Sequence, residues 1–325
     1  MIANNPEAVK NIACIGAGPI GGGWTAHYLA RGYNVTTYLH DVSEIDGLNR
    51  LLETAWISLT EMGLAPDASM DNLKWTTSLE EAVANAEFIQ ESIPEVLELK
   101  QHLYQKLGEI VAPNVVIASS TSGLSMTDIQ ANCSTPERTV VAHPFNPPYL
   151  LPLVEMIGGE KTSRETVDWT ERFYKVAGKA PLVMKKEVPG FIATRLQEAI
   201  WREALHMVAN GEATVEQIDQ AVVNGPGPRW ALMGPCEIFH VGGGEGGMAY
   251  CLDQFGAALK LPWTRLIAPE LTQELRDAMV EGCVEMCGDA DFSSLSRKLN
   301  SGLVEIARIK ARLANAEQSG ADKGD

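Results

Sequence analysis

Residues 11–23 read NIACIGAGPIGGG, a short apolar run that breaks into a cluster of glycines. A helical pattern then continues to Ala30, Gly32 supplies a stop, and Val35 to Leu39 forms a second strand-like run. Strand, glycine turn, helix and strand in this order are the sequence form of a dinucleotide-binding βαβ unit. Gly16 permits the tight turn, Gly18 lets backbone approach a pyrophosphate, and Gly21 lets the helix pack on the strand. Pro19 and Ile20 open the helix, whose unpaired N–H groups face the diphosphate. A glycine-rich turn without a ligand is the alternative, and the flanking elements weigh against it. The acidic residue that ordinarily holds the adenosine ribose should close the second strand, but that position is Leu39. Asp41 reaches the ribose only if the loop bends. No arginine follows closely to receive a 2′-phosphate, so the cofactor is read as NAD rather than NADP. Leu39→Asp is accordingly expected to tighten NAD if Asp41 does not already fill that role.

Outward from this unit, residues 44–86 are helical in character and acidic, with Arg50 and Lys74 as the fixed positive charges. Phe88 to Ser92 reads as a strand, Leu97 to Ile110 as a helix, and Val115 to Ser119 as a strand running into Ser120-Thr-Ser122-Gly123. Such alternation predicts an α/β fold, a Rossmann-type doubly wound parallel sheet whose ligands sit beyond the carboxyl ends of the strands. Ser122 stands where a substrate hydroxyl would be bound, although a turn serine explains it equally well. The run Thr139 to Ala142 delivers His143, prolines at 144, 147 and 148 forbid a helix, and a second run from Leu150 ends on Glu155. Two adjacent strands joined by a rigid turn can bring His143 and Glu155 together as a general base with a fixed tautomer. A core histidine and an unrelated rim glutamate remain the other reading of that stretch alone. Thr162 or Ser163 caps a helix to Ala177, and Pro181 to Lys185 is a further strand. From Val188 the texture becomes helical, with an apolar stripe from Ile192 to Val208 and a capping box at Thr214-x-x-Gln217. Segments 225–235 and 241–247 read as irregular, and later helices fall near 268–288 and 294–314. The chain is therefore divided into a dinucleotide domain, 1–187, and a second, all-helical domain, 188–325.

The 325 residues carry a net charge of −16, which repels nucleic acid, and no basic stripe offsets it. No apolar run approaches the ~20 residues that span a bilayer, and no signal-peptide pattern opens the chain. The six cysteines form no pair of CxxC motifs, so no metal site is expected; Cys283 and Cys287, one helical turn apart, are read as core. Reduced thiols and these absences point to the cytoplasm.

These motifs together resemble the 3-hydroxyacyl-CoA dehydrogenase superfamily over nearly the whole chain. The carriers are GAGPIG at 16–21, SSTSGL at 119–124, HPFNPPYLLPLVE at 143–155 and VPGFIATRL at 188–196. Their combination in this order is specific, whereas each alone is not. The resemblance implies an NAD-dependent 3-hydroxy-acid dehydrogenase in which His143 and Glu155 form the catalytic dyad. It implies that Ser122 and Asn146 contact the substrate, that Glu95 and Lys100 lie near the cofactor, and that the helical domain forms a homodimer. Thr194 stands where the family often carries Asn, and its shorter side chain puts that substrate contact in question. The stretches PGFIATRLQEAIWREALHMV, GPGPRWALMGP and FHVGGGEGGMAYCLDQFG resemble the branch that oxidises L-carnitine. The gulonate dehydrogenase and lambda-crystallin branch shares the middle stretch. A short-chain 3-hydroxyacyl-CoA substrate, a crystallin-like structural protein and an NAD-sensing module are the other readings, and retention of the dyad argues against the last two. A quaternary ammonium favours aromatic faces, for which Tyr149, Trp230 and Phe255 are the candidates, although core packing is the commoner use of such residues. Arg229 or Arg195 would meet the carboxylate, unless each serves a structural ion pair.

Overall fold

The computed structural model describes residues 5–255, 264, 270, 272–275, 277–278 and 292–321. The chain divides into two compact units, Met1–Thr194 and Arg195–Asp325.

The first unit is built on an eight-stranded sheet of order β3-β2-β1-β4-β5-β6-β7-β8. Its strands are β1 (Asn11–Ile15), β2 (Asn34–Tyr38), β3 (Leu73–Thr76), β4 (Phe88–Glu91), β5 (Val116–Ser119), β6 (Thr139–Pro144), β7 (Leu153–Ile157) and β8 (Ala180–Val183). The pairs from β3 to β6 are parallel, β7 runs antiparallel to β6, and β8 is parallel to β7. The expected parallel sheet is thus extended by a reversed pair. The reversal follows from the short proline-rich connection between β6 and β7, since a parallel partner needs a crossover of a dozen residues or more.

Side chains alternate across the sheet into two cores. Ile12, Cys14, Phe88, Val116, Ala118, Val140, Ala142, Val154 and Met156 face one. Ala13, Ile15, Ile89, Ile117, Val141 and Ile157 face the other. Both faces are covered, so these strands read as near-continuous apolar runs. The first core is closed by α1 (Pro19–Ala30), α2 (Ile45–Met62) and α6 (Arg164–Val176). Helices α3 (Leu79–Val83), α4 (Leu97–Ile110) and α5 (Met126–Ile129) lie on the second. Strand β3 falls inside the stretch read as helical. It is a four-residue edge strand with Lys74 and Trp75 exposed, so neither a period of two nor an apolar run marks it.

The second unit is helical where described. Helix α7 (Ala193–Ala209) begins at the end of the first unit and ends before Gly211, whose φ of +64° suits a residue without Cβ. Helix α8 (Val215–Asn224) carries the expected capping box of Thr214 and Gln217. Of the segments read as irregular, 225–235 contains the five-residue helix α9 (Pro226–Trp230), and 241–247 is the short 3-10 turn Gly244–Gly246 between α10 (Pro235–Gly242) and α11 (Gly247–Phe255). Their glycines and prolines sit mainly at caps and first turns, where they are compatible with helix. A final helix spans Phe292–Ala321. The helix expected near 268–288 lies largely outside the described residues, as do Cys283 and Cys287.

Candidate active site

The carboxyl edge of the sheet assembles the dinucleotide turn. Gly16 has φ +106°, and a Cβ there would lie 2.7 Å from the carbonyl oxygen of Ser92. At Gly21 a Cβ would stand 2.0 Å from the oxygen of Gly16, so the turn and the helix close on one another only with glycine at both places. Gly18, the N-cap of α1, meets nothing within 4 Å and leaves open space beside the helix N-terminus. Pro19 takes the first helical position, where it lacks an N–H, and Ile20 and Gly21 then supply first-turn amides that have no carbonyl upstream. This open cradle of backbone donors fits a diphosphate.

The ribose position differs from the expectation. Leu39 is fully buried in the first core, with its amide bonded to the Thr76 oxygen, so it does not occupy the place of a ribose acceptor. An aspartate at 39 would be buried there, which reverses the expected benefit of Leu39→Asp for NAD. Asp41 is exposed, and hydrogen bonds from the Ser43 side chain first and the Ser43 amide second, the latter at 2.8 Å, hold its carboxyl below the ordinary value.

Glu155 is opposite His143 in the β6–β7 register. Directly opposed residues of an antiparallel pair project to the same face. His143 Nδ1 lies 3.0 Å from Glu155 Oε2, and both residues are buried. The other carboxylate oxygen accepts from the amides of Ile192 at 2.9 Å and Ala193 at 2.8 Å. Burial pushes the Glu155 carboxyl up, but the His143 bond and these two amides outweigh it and hold the group below the usual glutamate value. An ionised Glu155 accepts the hydrogen bond of Nδ1–H, which keeps that proton on Nδ1 and leaves the lone pair on Nε2, the nitrogen that can act as base. Phe145 and Phe191 flank the ring, with centroids 5.3 and 5.5 Å away.

A second carboxylate organises the serine turn after β5. Glu95 Oε1 accepts from Thr121 Oγ1 at 2.5 Å, from the amides of Ser122 and Gly123 at 2.9 and 3.1 Å, and from Ser122 Oγ at 3.3 Å. Lys100 is 1% exposed. Its Nζ bonds Glu91 at 2.6 Å and stands 3.6 Å from Glu95, so it supports the glutamates from inside the fold. Burial raises the Glu95 carboxyl, and Thr121, Lys100 and the two amides bring it to a net lowering.

The remaining candidates lie in different places. Asn146 is exposed in the β6–β7 loop, Tyr149 is half-buried against the first core, and Thr194 is half-buried at the end of the first unit. Arg229 and Trp230 are exposed on α9 of the second unit. The backbone of Phe255 closes α11, and its side chain lies outside the described residues. Sequence reasoning missed the amides of Ile192 and Ala193, Thr121, and the half-buried hydroxyl of Ser120, which receives bonds from Gln90 at 2.9 Å and Trp24 at 3.2 Å. Backbone donors leave no mark in residue type. The paired serines of SSTSGL were the available signal for Ser120.

Comparison with known proteins agrees with this geometry. The family model described as 3-hydroxyacyl-CoA dehydrogenase, NAD binding domain, matches residues 11–188, and its C-terminal domain model matches residues 190–279. The chain is 56% identical over 315 residues to a Streptomyces coelicolor protein named L-carnitine dehydrogenase, covering 97% of this chain and 99% of that one. A Bacillus cereus protein of the same name is 46% identical over 303 residues, 93% of each chain. The crystal structure of an NAD+-dependent dismutase, 5-formyl-3-hydroxy-2-methylpyridine 4-carboxylic acid 5-dehydrogenase, superposes with a TM-score of 0.82 at 29% identity, covering 93% of this chain and 99% of that one. The glycine cradle, the His143–Glu155 pair and these matches converge: the chain belongs to the 3-hydroxyacyl-CoA dehydrogenase family, with its NAD-binding and C-terminal domains in order.

Proposed function

We propose that the protein oxidises L-carnitine to 3-dehydrocarnitine. The observation that carries the substrate is the 56% identity, across 97% of the chain, to the Streptomyces coelicolor L-carnitine dehydrogenase. NAD, when bound along the Gly16–Gly21 turn, supplies the hydride acceptor. His143 takes the proton of the 3-hydroxyl at Nε2 while Glu155, held by the Ile192 and Ala193 amides, fixes the ring and balances its charge. Ser122, oriented by Glu95, and Asn146 bind the substrate oxygen. Thr194, Arg229, Tyr149, Trp230 and Phe255 are assigned to carnitine recognition, the aromatics for the trimethylammonium group and Arg229 for the carboxylate. Residues 1–187 form the cofactor domain in this reading and 188–325 the substrate and dimerisation domain. The enzyme works as a cytoplasmic homodimer, and exposed Ile200, Trp201 and Val223 of the helical unit supply apolar surface for the partner.

Turnover tests the substrate. L-carnitine, L-gulonate and acetoacetyl-CoA are each assayed through NADH absorbance. L-carnitine should be oxidised and the thioester left unreduced, because the exposed acidic residues of α2, Asp46, Glu53 and Glu61, are a poor landing surface for the phosphates of CoA. The neutral tert-butyl analogue of carnitine should lose about ten- to a hundredfold in kcat/KM. Efficient acetoacetyl-CoA reduction without carnitine oxidation sinks the reading, and equal turnover of charged and neutral substrates discards the aromatic cage.

A further inference from the structure

Lys179 is a buried cation whose charge the chemistry above does not use. It stands between α6 and β8, is 8% exposed, and donates from Nζ to the carbonyl oxygens of Pro148 and of Leu151, the latter at 3.2 Å. The same ammonium lies 5.0 Å from the ring centre of Trp24 on α1. The titratable groups facing it are His27 of α1 and Arg31, which directly follows that helix. The Arg31 charge repels it, and no carboxylate pairs with it among the described residues. Burial first, and Arg31 second, push its pKa down to about 7. A lysine placed at such electrostatic cost needs a compensating set of acceptors, and here these are two loop carbonyls and an indole face.

Those acceptors connect three parts of the site. Pro148 and Leu151 lie in the loop that runs from His143 to Glu155 and carries Asn146 and Tyr149. Pro148 also abuts α1, since a Cβ on Gly23 would come within 2.7 Å of its Cδ. Trp24 Nε1 donates to Ser120 Oγ at 3.2 Å, two residues before Ser122, and Ser120 Oγ lies 2.8 Å from Ser92 Oγ in the segment that closes over Gly16. One ammonium–indole couple therefore touches the dinucleotide helix, the serine turn and the loop between the dyad residues.

We propose that Lys179 is a positioning residue, clamping the 145–152 loop onto the dinucleotide helix and thereby setting Asn146 and Tyr149 against bound substrate. The inference rests on the dehydrogenase reading above for its effect on turnover, but the clamp itself is measurable without substrate. The amides of Leu150 and Leu151 both bond the Pro147 oxygen at 3.0 Å, so their hydrogen exchange reports the loop. Lys179→Met keeps the stem and removes every donor, while Lys179→Arg keeps charge and donors. In Lys179→Met, exchange at Leu150 and Leu151 should rise about tenfold or more while β1 and α1 stay protected. NAD affinity should stay within about twofold, and kcat on L-carnitine should fall at least about tenfold, with partial recovery in Lys179→Arg. Unchanged exchange at these two amides, faster exchange without loss of kcat, or acceleration spread evenly over the first unit overturns the proposal. Failure of both variants to fold overturns it too, because Lys179 is then a core residue alone. If the natural protein does not oxidise L-carnitine, the functional reading falls, and the exchange at Leu150 and Leu151 still decides the clamp.

Discussion

At the scale of single residues, the His143–Glu155 contact separates chemistry from binding. His143→Gln should lower kcat by ~10²–10⁴ while isothermal titration finds NAD affinity unchanged, because the proposed base acts on the substrate hydroxyl. Near-normal turnover would remove His143 from its role. Glu155→Gln tests the partner and also stability. The Glu155 carboxyl lies below its ordinary 4.5 in the folded protein. Its contribution is therefore complete above that value and is lost as pH falls through the lower folded pKa. The glutamine amide cannot accept from Nδ1–H and from the two backbone amides together, so the variant should be ~1–3 kcal/mol less stable at neutral pH. Urea unfolding of both proteins across acid pH should show that gap closing as pH drops below 4.5. A gap independent of pH contradicts the ionised carboxylate.

The dinucleotide element makes a contrast that neither glycine makes alone. Gly18→Ala adds a methyl into open space, so the free protein should melt like the natural one, yet NAD should bind more weakly because the methyl stands where the pyrophosphate approaches. Gly21→Ala drives a Cβ into the Gly16 carbonyl and should destabilise the fold itself by ~1–3 kcal/mol, read as a lower melting temperature without ligand. Equal melting temperatures for the two variants would contradict this division of labour. Just past the end of β2, Leu39→Asp should cost at least ~2 kcal/mol of stability and fail to improve NAD affinity, because position 39 is buried in the core. Comparative kcat/KM with NAD and NADP on that variant and on Asp41→Ala locates the ribose contact.

For the whole molecule, the proposed homodimer makes a solution-mass prediction. Sedimentation equilibrium should find a dimer, and Trp201→Glu, which puts a charge into the exposed apolar face of α7, should shift it toward monomer. An unaltered dimer would place the interface elsewhere. Among the described residues no helix is long and apolar enough to cross a membrane.

Contiguous residues determined the βαβ unit. Glycine spacing, helix stop and strand runs between residues 11 and 39 all act through local backbone freedom and periodicity, which are legible one stretch at a time. The same local chemistry nominated His143 and Glu155 and the capping box of α8. What needed the tertiary structure depended on pairing between distant segments. The β6–β7 register puts His143 opposite Glu155 instead of leaving both at strand ends, and a shift of one residue would turn them to opposite faces. Glu155 is held by amides 37 and 38 residues downstream, donors that every non-proline residue carries and no sequence pattern advertises. Leu39 faces the core because β2 is covered on that side by helix, and β3 escaped notice because an exposed edge strand has no buried face to impose a period.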